Sequence, residues 1–386
     1  MALMKDKLAE REIGLIAGLL KQAWPAFNAD GFIRMAEDEL DQRELKDRVR
    51  HIIAAMQYHL PDDFVETVEI LQRLPALWPH SLDDEAASFS EFAGWPLVDF
   101  VAVAGIDQPE IALPLLGELT GLFSAEFAIR SFIAADWPLT LSFLQQWQQS
   151  DNHHQRRLVS EGTRPRLPWG ERLPAFIDDP TPVLGLLESM VDDSSETVRR
   201  SVANNLNDIG KDHPGRVTAF LKPFSDVHDD STNKTANEKT DKNASKQRQR
   251  LVRHALRSLI KAGDTDALAL IGVRADVSVQ LSGFNGSESV CLGDVLAFDF
   301  QLKSTAEEAQ MLVIDFAIHF VKANGTTSAK VFKLKTLELA AGKTLSVTKK
   351  HLLKPITTRV YYPGLHRLEI FVNGKSYMQH AFDLVI

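Results

Sequence analysis

The sequence predicts a multidomain chain with two architectures in succession, a HEAT-like α-helical repeat array and an immunoglobulin-like β-sandwich. Up to about residue 272 the apolar residues recur at helical spacing, and from Val273 onward they alternate with polar residues along short segments. A length of 386 residues is enough for two or three domains with a core each. We therefore expect a helical domain over residues 1–272 and a β-sandwich over residues 273–386.

Several helical segments share one pattern, in which an apolar residue and an arginine precede further apolar residues at helical spacing. They are Val49–Met56, Ile129–Ala135, Val198–Leu206 and Val252–Ile260. Helix pairs repeated at periods of roughly 40 residues are typical of HEAT-like arrays. Such arrays bury a core only between neighbouring repeats and present a curved concave face.

A polar stretch interrupts the helical pattern near its end. Residues 225–247 contain one sizeable apolar residue, Val227, so we expect a flexible loop there. The helical pattern then resumes with basic residues spaced to share one face. These residues are Arg250, Arg253, Arg257 and Lys261. From the pattern alone, this face is either simply solvated or an edge that follows phosphate groups.

Turn signals divide the last part of the chain into short alternating segments. The expected strands are Val277–Leu281, Val295–Leu302, Met311–Val321, Lys330–Leu337, Thr344–Lys350, His366–Val372 and Gln379–Ile386. Asn-Gly, Ala-Gly and Pro-Gly pairs separate most of them. About seven such strands are typical of an immunoglobulin-like sandwich. Because Cys291 is the only cysteine, the usual disulfide between the sheets is excluded.

The charge and cysteine content limit the classes of partner. A formal net charge of −9 opposes general coating of nucleic acid, so any DNA contact requires a local basic patch. We find neither the apolar core of a signal peptide nor an apolar run of bilayer length, and we expect a cytoplasmic protein without membrane contact. The cysteine and histidine spacing predicts no metal site, and no cofactor is expected. Nothing indicates an obligate dimer, so a monomer is expected.

The stretch His153–Arg172 is the most informative part of the sequence, because it places five arginines near the carboxylate of a central glutamate and one large aromatic residue. The arginines are Arg156, Arg157, Arg164, Arg166 and Arg172, and the other two residues are Glu161 and Trp169. A helix carrying the glutamate should end at Gly162 in the left-handed conformation. Pro165 and Pro168 should keep the following loop extended. Such a surface suits a polyanion whose reacting atom develops positive charge.

This stretch resembles the AlkC branch of the AlkC/AlkD DNA alkylation-repair glycosylases. The resemblance rests on RRLVSEGTRPRLPWG at Arg156–Gly170, followed by the helix within Glu196–Pro214, and extends over roughly the first two-thirds of the chain. A run of this length is far more specific than a short motif. Some AlkC-like proteins carry a C-terminal immunoglobulin-like domain, which the resemblance implies here as well.

Local pattern alone leaves each candidate acid ambiguous. Glu161 is explained equally well by a plain intrahelical salt bridge with Arg157. Glu126 is expected in the first turn of a helix capped by Ser124, where acids are common. Asp208 is expected on the polar face of its helix, where a surface carboxylate in a helix-stabilising pair is the simpler interpretation.

The resemblance implies a catalytic role for these acids. Glu126, Glu161 and Asp208 match the active-site acids of the family, and Trp169 matches the aromatic residue that lies against the lesion. Loss of a cationic alkylated base develops oxocarbenium character on the deoxyribose. Carboxylates near that sugar would stabilise the cation, and one would orient or deprotonate water. The indole would present its π-face to the cationic group.

Basic residues are expected to hold the DNA backbone, giving affinity and register without reading the base sequence. They are Arg156, Arg157, Arg164, Arg166, Arg200, Arg253 and Arg257. The expected partner is double-stranded DNA that contains alkylated bases.

The expected function is a DNA glycosylase of base excision repair that releases 3-methyladenine and 3-methylcytosine from duplex DNA without full base flipping. One alternative is a HEAT-repeat scaffold that binds a protein partner. The other is a non-catalytic protein that binds damaged or branched DNA. The arginines near Trp169 disfavour the scaffold, whereas the residues alone do not exclude the non-catalytic DNA binder.

Overall fold

The computed structural model describes residues 4–79, 92–225, 238–356 and 359–386. The chain divides into two compact units, Met1–Asp212 and His213–Ile386. The first is helical, and the second combines helices with two β-sheets. The predicted order of helices followed by strands is therefore confirmed.

The first unit is built from α-helices. They are α1 (Glu10–Ala23), α2 (Ala29–Glu37), α3 (Leu45–His59), α4 (Phe64–Leu71), α5 (Leu74–Leu77), α6 (Gly94–Gly105), α7 (Pro109–Leu119), α8 (Ile129–Ala135), α9 (Trp137–Gln148), α10 (His153–Gly162), α11 (Pro174–Asp178), α12 (Thr181–Leu187) and α13 (Glu196–Ile209). Successive helices pack on one another, as α1 does on α2 and α9 on α10. This packing is what a HEAT-like array requires, and the repeat assignment stays a prediction.

Helix α10 begins at a capping side chain and ends at a close contact. The Oδ1 of Asn152 accepts a hydrogen bond from the backbone N–H of His154 at 2.9 Å, which satisfies a free donor of the first turn. The expected left-handed conformation at Gly162 is wrong, because Gly162 is the last helical residue and Thr163 follows at φ −91°. Glycine is needed there for a different reason. A Cβ would lie 2.6 Å from the Cγ2 of Ile129.

The helices of the second unit are α14 (Pro214–Leu221), α15 (Glu238–Ala255), α16 (Arg257–Ala262) and α17 (Thr265–Ala269). The loop expected over residues 225–247 is wrong for residues 238–247, which belong to α15, and residues 226–237 lie outside the described residues. Lysine, glutamate, glutamine and alanine are strong helix formers. A polar segment of this kind extends a helix whose later residues, Leu251 and Val252, are buried.

The strands of the second unit form two sheets around one apolar core. They are β1 (Val279–Gly286), β2 (Ser289–Cys291), β3 (Val295–Ser304), β4 (Gln310–Val321), β5 (Thr327–Leu339), β6 (Thr344–Leu352), β7 (Gly364–Val372) and β8 (Lys375–Val385). One sheet has the order β1-β3-β6 and the other β2-β8-β7-β4-β5. Phe298, Phe316 and Phe382 belong to the shared core. Each of the seven expected strands overlaps an observed one, and β2 is an additional strand.

The change from helix to strand falls between Ala269 and Val279, close to the expected domain boundary at residues 272 and 273. The compact units divide earlier, after Asp212. Helices α14–α17 belong to the unit that contains the sheets, and α16 packs against β5. The domain boundaries expected from the sequence stay a prediction.

Gly162→Ala should destabilise the protein, because the new methyl group overlaps the side chain of Ile129 at the end of α10. Overpacking of this kind costs about 1–3 kcal/mol. Urea-induced unfolding of the full chain measures the effect. Gly14→Ala in α1 is the matched control, since a Cβ there meets nothing within 4 Å, and it should leave the stability unchanged or raise it. Equal stability of the two variants would contradict the proposed contact.

Candidate active site

Helices α10 and α13 share a buried polar interface. The hydroxyl of Ser201 donates to the Oε2 of Glu161 at 2.5 Å, and the Nδ2 of Asn205 donates to the carbonyl oxygen of Ser160 at 2.8 Å. Buried polar groups are stable only when they are hydrogen-bonded. These contacts therefore fix how the two helices are aligned.

Acids and arginines alternate across this interface. Arg157 places Nη1 3.1 Å from the Oε2 of Glu126 and Nη2 3.8 Å from the Oε2 of Glu161. Arg164 places Nη1 2.5 Å from the Oε1 of Glu161 and Nη2 2.8 Å from the Oδ2 of Asp208. None of the five side chains is more than 15% exposed. These five residues form the acid–arginine cluster, which brings together the three acids singled out in the sequence.

Burial and the arginines act in opposite directions on the two glutamates of the cluster. Burial raises the pKa of Glu161, but Arg157, Arg164 and the hydroxyl of Ser201 outweigh it, so the pKa is lowered. At Glu126 burial prevails over Arg157, the charge of Glu161 adds to it, and the pKa is raised. Carboxyl groups whose pKa values are driven apart can divide the roles of acid and base.

Two local expectations at these acids are wrong. Asp208 is not a surface carboxylate, because it is 2% exposed and binds Arg164 and Lys211, the latter at 2.7 Å. The polar face of α13 is buried because α10 packs against it. Glu126 lies in the turn before α8, and Ser124 does not cap that helix. Its hydroxyl donates to the Oε2 of Glu126 at 2.7 Å.

Four of the five arginines of the motif are paired with carboxylates and do not form the exposed cationic surface expected from the sequence, whereas Arg172 is exposed. Arg156 binds both carboxylate oxygens of Asp193, at 2.7 and 3.0 Å. Arg166 binds both carboxylate oxygens of Asp212, at 2.8 Å each. Two further arginines, Arg157 and Arg164, bind the acids of the acid–arginine cluster. Carboxylates distant in the sequence therefore neutralise much of the motif's charge, which the local pattern did not indicate.

The other expected DNA contacts lie on different elements. Arg200 is exposed on α13 in the first unit. In the second unit, Arg253 is exposed near the end of α15, and Arg257 is half-buried at the start of α16.

The loop after α10 presents an exposed indole. Trp169 has a φ of 66°, and the residue is 55% exposed, so it is not a packing residue. The ammonium group of Lys46 donates to the carbonyl oxygen of Trp169. Arg130 donates to the carbonyl oxygens of Gly162 and Glu171, at 3.0 and 2.6 Å. A left-handed conformation at a bulky residue is costly and persists where surrounding contacts enforce it.

Arg130 is a site residue that the sequence analysis missed. It is 3% exposed, and burial, with the charge of Arg164, lowers its pKa to about 10. Nothing local in the sequence distinguishes it from the arginines of the other repeated segments. Its role depends on carbonyl groups more than 30 residues further along the chain.

An open pocket of about 210 Å³ lies beside Trp169, and its lining includes Lys46, Trp95, Asp99 and Phe127. The indole of Trp95 stacks on Phe127 with ring centroids 5.1 Å apart. Its Nε1–H donates to the Oδ2 of Asp99 at 2.7 Å. Phe127 directly follows Glu126, which connects the pocket to the acid–arginine cluster.

Asp99 is a second group that the sequence analysis missed. Burial raises its pKa to about 7; the hydrogen bond from Trp95 and the charge of Lys46 oppose this rise, and the charge of Glu126 adds to it. Its Oδ1 is shielded from solvent and accepts no hydrogen bond from any residue that the structure describes. A carboxyl group that titrates near neutrality in a pocket is a candidate for acid–base chemistry. The sequence does contain one signal for this residue, because Asp99 is a single acid within the otherwise apolar helix α6.

The described residues contain no cluster of three or more histidine, cysteine or acidic side chains that could hold a metal ion. Among those same residues, no helix combines the length and apolar character needed to cross a bilayer.

Comparison with known proteins gives matches over both parts of the chain. Residues 123–259 match the family model of the DNA alkylation repair enzymes, and residues 281–386 match that of the C-terminal Ig-like domain of the uncharacterised protein YhaZ. The uncharacterized protein YhaZ of Bacillus subtilis (strain 168) is 33% identical over 377 residues, which are 97% of each chain.

A solved structure is similar over the whole length. The alkylpurine DNA glycosylase AlkC of Pseudomonas fluorescens, bound to DNA containing an abasic site analog, is 35% identical, with a TM-score of 0.87 over 100% of both chains. The likeness covers both the helical part with the acid–arginine cluster and the β-sandwich. The chain therefore belongs to the AlkC branch of the DNA alkylation repair enzymes, with a C-terminal immunoglobulin-like domain.

Proposed function

We propose that this protein is a DNA glycosylase that hydrolyses the N-glycosidic bond of cationic N3-alkylated bases, 3-methyladenine and 3-methylcytosine, in duplex DNA. The proposal rests on one observation above all. Glu126, Glu161 and Asp208 lie together in the acid–arginine cluster. The similarity to an alkylpurine DNA glycosylase bound to DNA supports both the reaction and the partner.

The cluster suits the stabilisation of a developing cation. Base loss places positive charge on the deoxyribose, and fixed carboxylates favour that charge more in the transition state than in the substrate. Arg157 and Arg164 hold the acids in place, so little reorganisation accompanies the reaction. Glu161, with its lowered pKa, supplies a constant negative charge.

Glu126 is the better candidate to activate water. Its pKa is raised, chiefly by burial, and a general base works best when its pKa lies near the working pH. Trp169 would cover the cationic sugar or base with its exposed π-face. The pocket beside it is open to solvent, which supports attack on a base that stays largely within the duplex.

The proposed backbone contacts differ from those expected from the sequence alone. Arg156, Arg157 and Arg164 are engaged within the protein and are left out of the set. Arg200 is retained because it is exposed. Arg166 is retained because its pair with Asp212 is about a quarter exposed, so that a phosphate group can replace the carboxylate at small cost.

Glu161→Gln should lower the single-turnover rate of 3-methyladenine release from methylated duplex DNA by roughly 100-fold, as loss of one oriented electrostatic group typically does. Binding of undamaged duplex should be retained. Glu188→Gln, at an exposed position of the first unit, is the matched control and should release base at the wild-type rate. An unchanged rate in Glu161→Gln would remove this residue from the mechanism.

The same assay separates the alternatives. Salt-sensitive duplex binding without release of any base would identify a non-catalytic DNA binder. Absence of duplex binding at low salt would identify a protein-binding scaffold. The cytoplasmic location and the monomeric state stay predictions from the sequence.

The rate of base release should rise with pH through about 7, because Asp99 loses its proton there and then adds a negative charge beside the developing cation. In Asp99→Asn this step should be absent, while the amide oxygen still accepts the hydrogen bond from Trp95. Single-turnover rates measured between pH 5.5 and 8.5, roughly 1.5 units on either side of that pKa, provide the test. A step of unchanged position and size in Asp99→Asn would assign it to another group.

A further inference from the structure

The two carboxylate oxygens of Asp208 have partners that differ in their access to solvent. Arg164 binds the Oδ2 through its Nε and its Nη2, each at 2.8 Å. Lys211 places its Nζ 2.7 Å from the Oδ1. The side chains of Asp208 and Arg164 are 3% and 8% exposed, whereas that of Lys211 is 45% exposed. The carboxylate therefore has one buried partner and one partner that a ligand can reach.

Lys211 reaches this carboxylate from the turn that follows α13. The helix ends at Ile209, and the backbone N–H of Lys211 donates to the carbonyl oxygen of Asp208 at 3.3 Å. An ion pair formed by a half-exposed lysine contributes little to stability. An ammonium group on a flexible stem also turns readily toward another acceptor. Lys211 can therefore leave Asp208 without disturbing the helix, whereas the buried Arg164 cannot.

The contact with Lys211 opposes the electrostatic role proposed for the acid–arginine cluster. Its ammonium group cancels one of the negative charges on which stabilisation of a developing cation depends. Departure of Lys211 would make the surroundings of Asp208 more negative by one unit of charge. Arg164 would still hold the Oδ2, so the carboxylate would keep its position.

A second basic side chain lies beside Lys211. Arg166 binds both carboxylate oxygens of Asp212, the residue that follows Lys211. The pKa of Arg166 is raised, chiefly by the hydrogen bond with Asp212, and the charge of Asp208 adds to the rise. Arg166 is already one of the proposed phosphate contacts. A DNA backbone held by Arg166 would therefore bring phosphate groups close to Lys211.

We propose that Lys211 is a further contact to the DNA backbone, and that a phosphate group displaces it from Asp208 when duplex DNA binds. This inference rests on the proposed function. The ammonium group passes from one anionic oxygen to another, and no covalent bond changes. Neutralisation of phosphate groups releases counterions from the duplex, which favours the exchange. The Oδ1 of Asp208 then faces the deoxyribose without a cationic partner, so this acid acts at full strength only on bound DNA.

The test is a double-mutant cycle on affinity for a short undamaged duplex, measured by fluorescence anisotropy over a range of salt concentrations. Its variants are Lys211→Gln, Asp208→Asn and the double variant, with Lys211→Arg as the conservative change. The same cycle on Lys375→Gln and Asp276→Asn, an exposed ion pair of the second unit, is the matched control. Circular dichroism verifies folding, and single-turnover release of 3-methyladenine is measured over a range of enzyme concentrations.

Lys211→Gln should bind duplex roughly tenfold more weakly, and the slope of log affinity against log salt should decrease by about 1, as expected for loss of one phosphate contact. Lys211→Arg should restore the affinity. The enzyme concentration that gives half the maximal release rate should rise by the same factor in Lys211→Gln.

Asp208→Asn should bind duplex about two- to fivefold more tightly, because Lys211 no longer has to leave a carboxylate. This gain should vanish in the Lys211→Gln background. The control cycle should show no such coupling, since neither of its residues is proposed to exchange partners on binding.

Three results would overturn the proposal. A gain in Asp208→Asn that persists without Lys211, or equal coupling in the control cycle, would indicate a general effect of charge. Unchanged duplex affinity in Lys211→Gln would remove Lys211 from the DNA interface, even if Asp208→Asn failed to fold. A loss of release rate in Lys211→Gln that persists at saturating enzyme would assign Lys211 to the chemistry itself and contradict its displacement.

Failure of the proposed function would be recognised separately. Absence of methylated base release by the wild-type protein would overturn the glycosylase activity alone, because the affinity cycle uses undamaged DNA. Normal base release with no coupling between Lys211 and Asp208 would overturn the exchange alone.

Discussion

A single buried arginine joins the parts of the candidate active site. Arg164 contacts Glu161 at 2.5 Å and Asp208, on α13, at 2.8 Å. Its own carbonyl oxygen accepts a hydrogen bond from Arg130 at 2.9 Å, so the start of the loop that carries Trp169 is held at the same point. The positions of two acids and the alignment of two helices depend on its guanidinium group, and its backbone carbonyl oxygen anchors the loop that carries the indole.

Such a cluster is a poor way to stabilise a helical protein. Removing charges from water is costly, and apolar residues of similar size usually pack two helices at least as well as a buried ion pair does. Fixed charges in a poorly solvated place nevertheless act strongly on any charge that forms beside them. The alternation of Glu126, Arg157 and Glu161 therefore fits the catalytic role proposed above better than a role in stability, and the opposed pKa shifts of the two glutamates agree with this.

Periodicity predicted the fold better than the site, because it reports only local distances along the chain. Most strands were long enough to alternate visibly, whereas Ser289–Cys291 is too short to do so. The pairing of Glu161 with Arg157 is also local, and the sequence pattern predicts it as the alternative to a catalytic role. Arg164 contacts Asp208 from 44 residues away, and no local pattern indicates such a contact. The resemblance to the family pointed to Asp208 as a site residue. Neither the local sequence pattern nor the resemblance pointed to Asp99.

Part of the pocket wall lies outside the segment that matches the alkylation-repair family model. That match begins at residue 123, whereas Lys46 lies on α3 and Asp99 on α6. A fragment starting at residue 123 would keep every acid of the cluster. It would lose the ammonium group that holds the carbonyl oxygen of Trp169 and the carboxyl group bound by Trp95. The proposed function therefore requires more of the chain than the segment that matches the alkylation-repair family model.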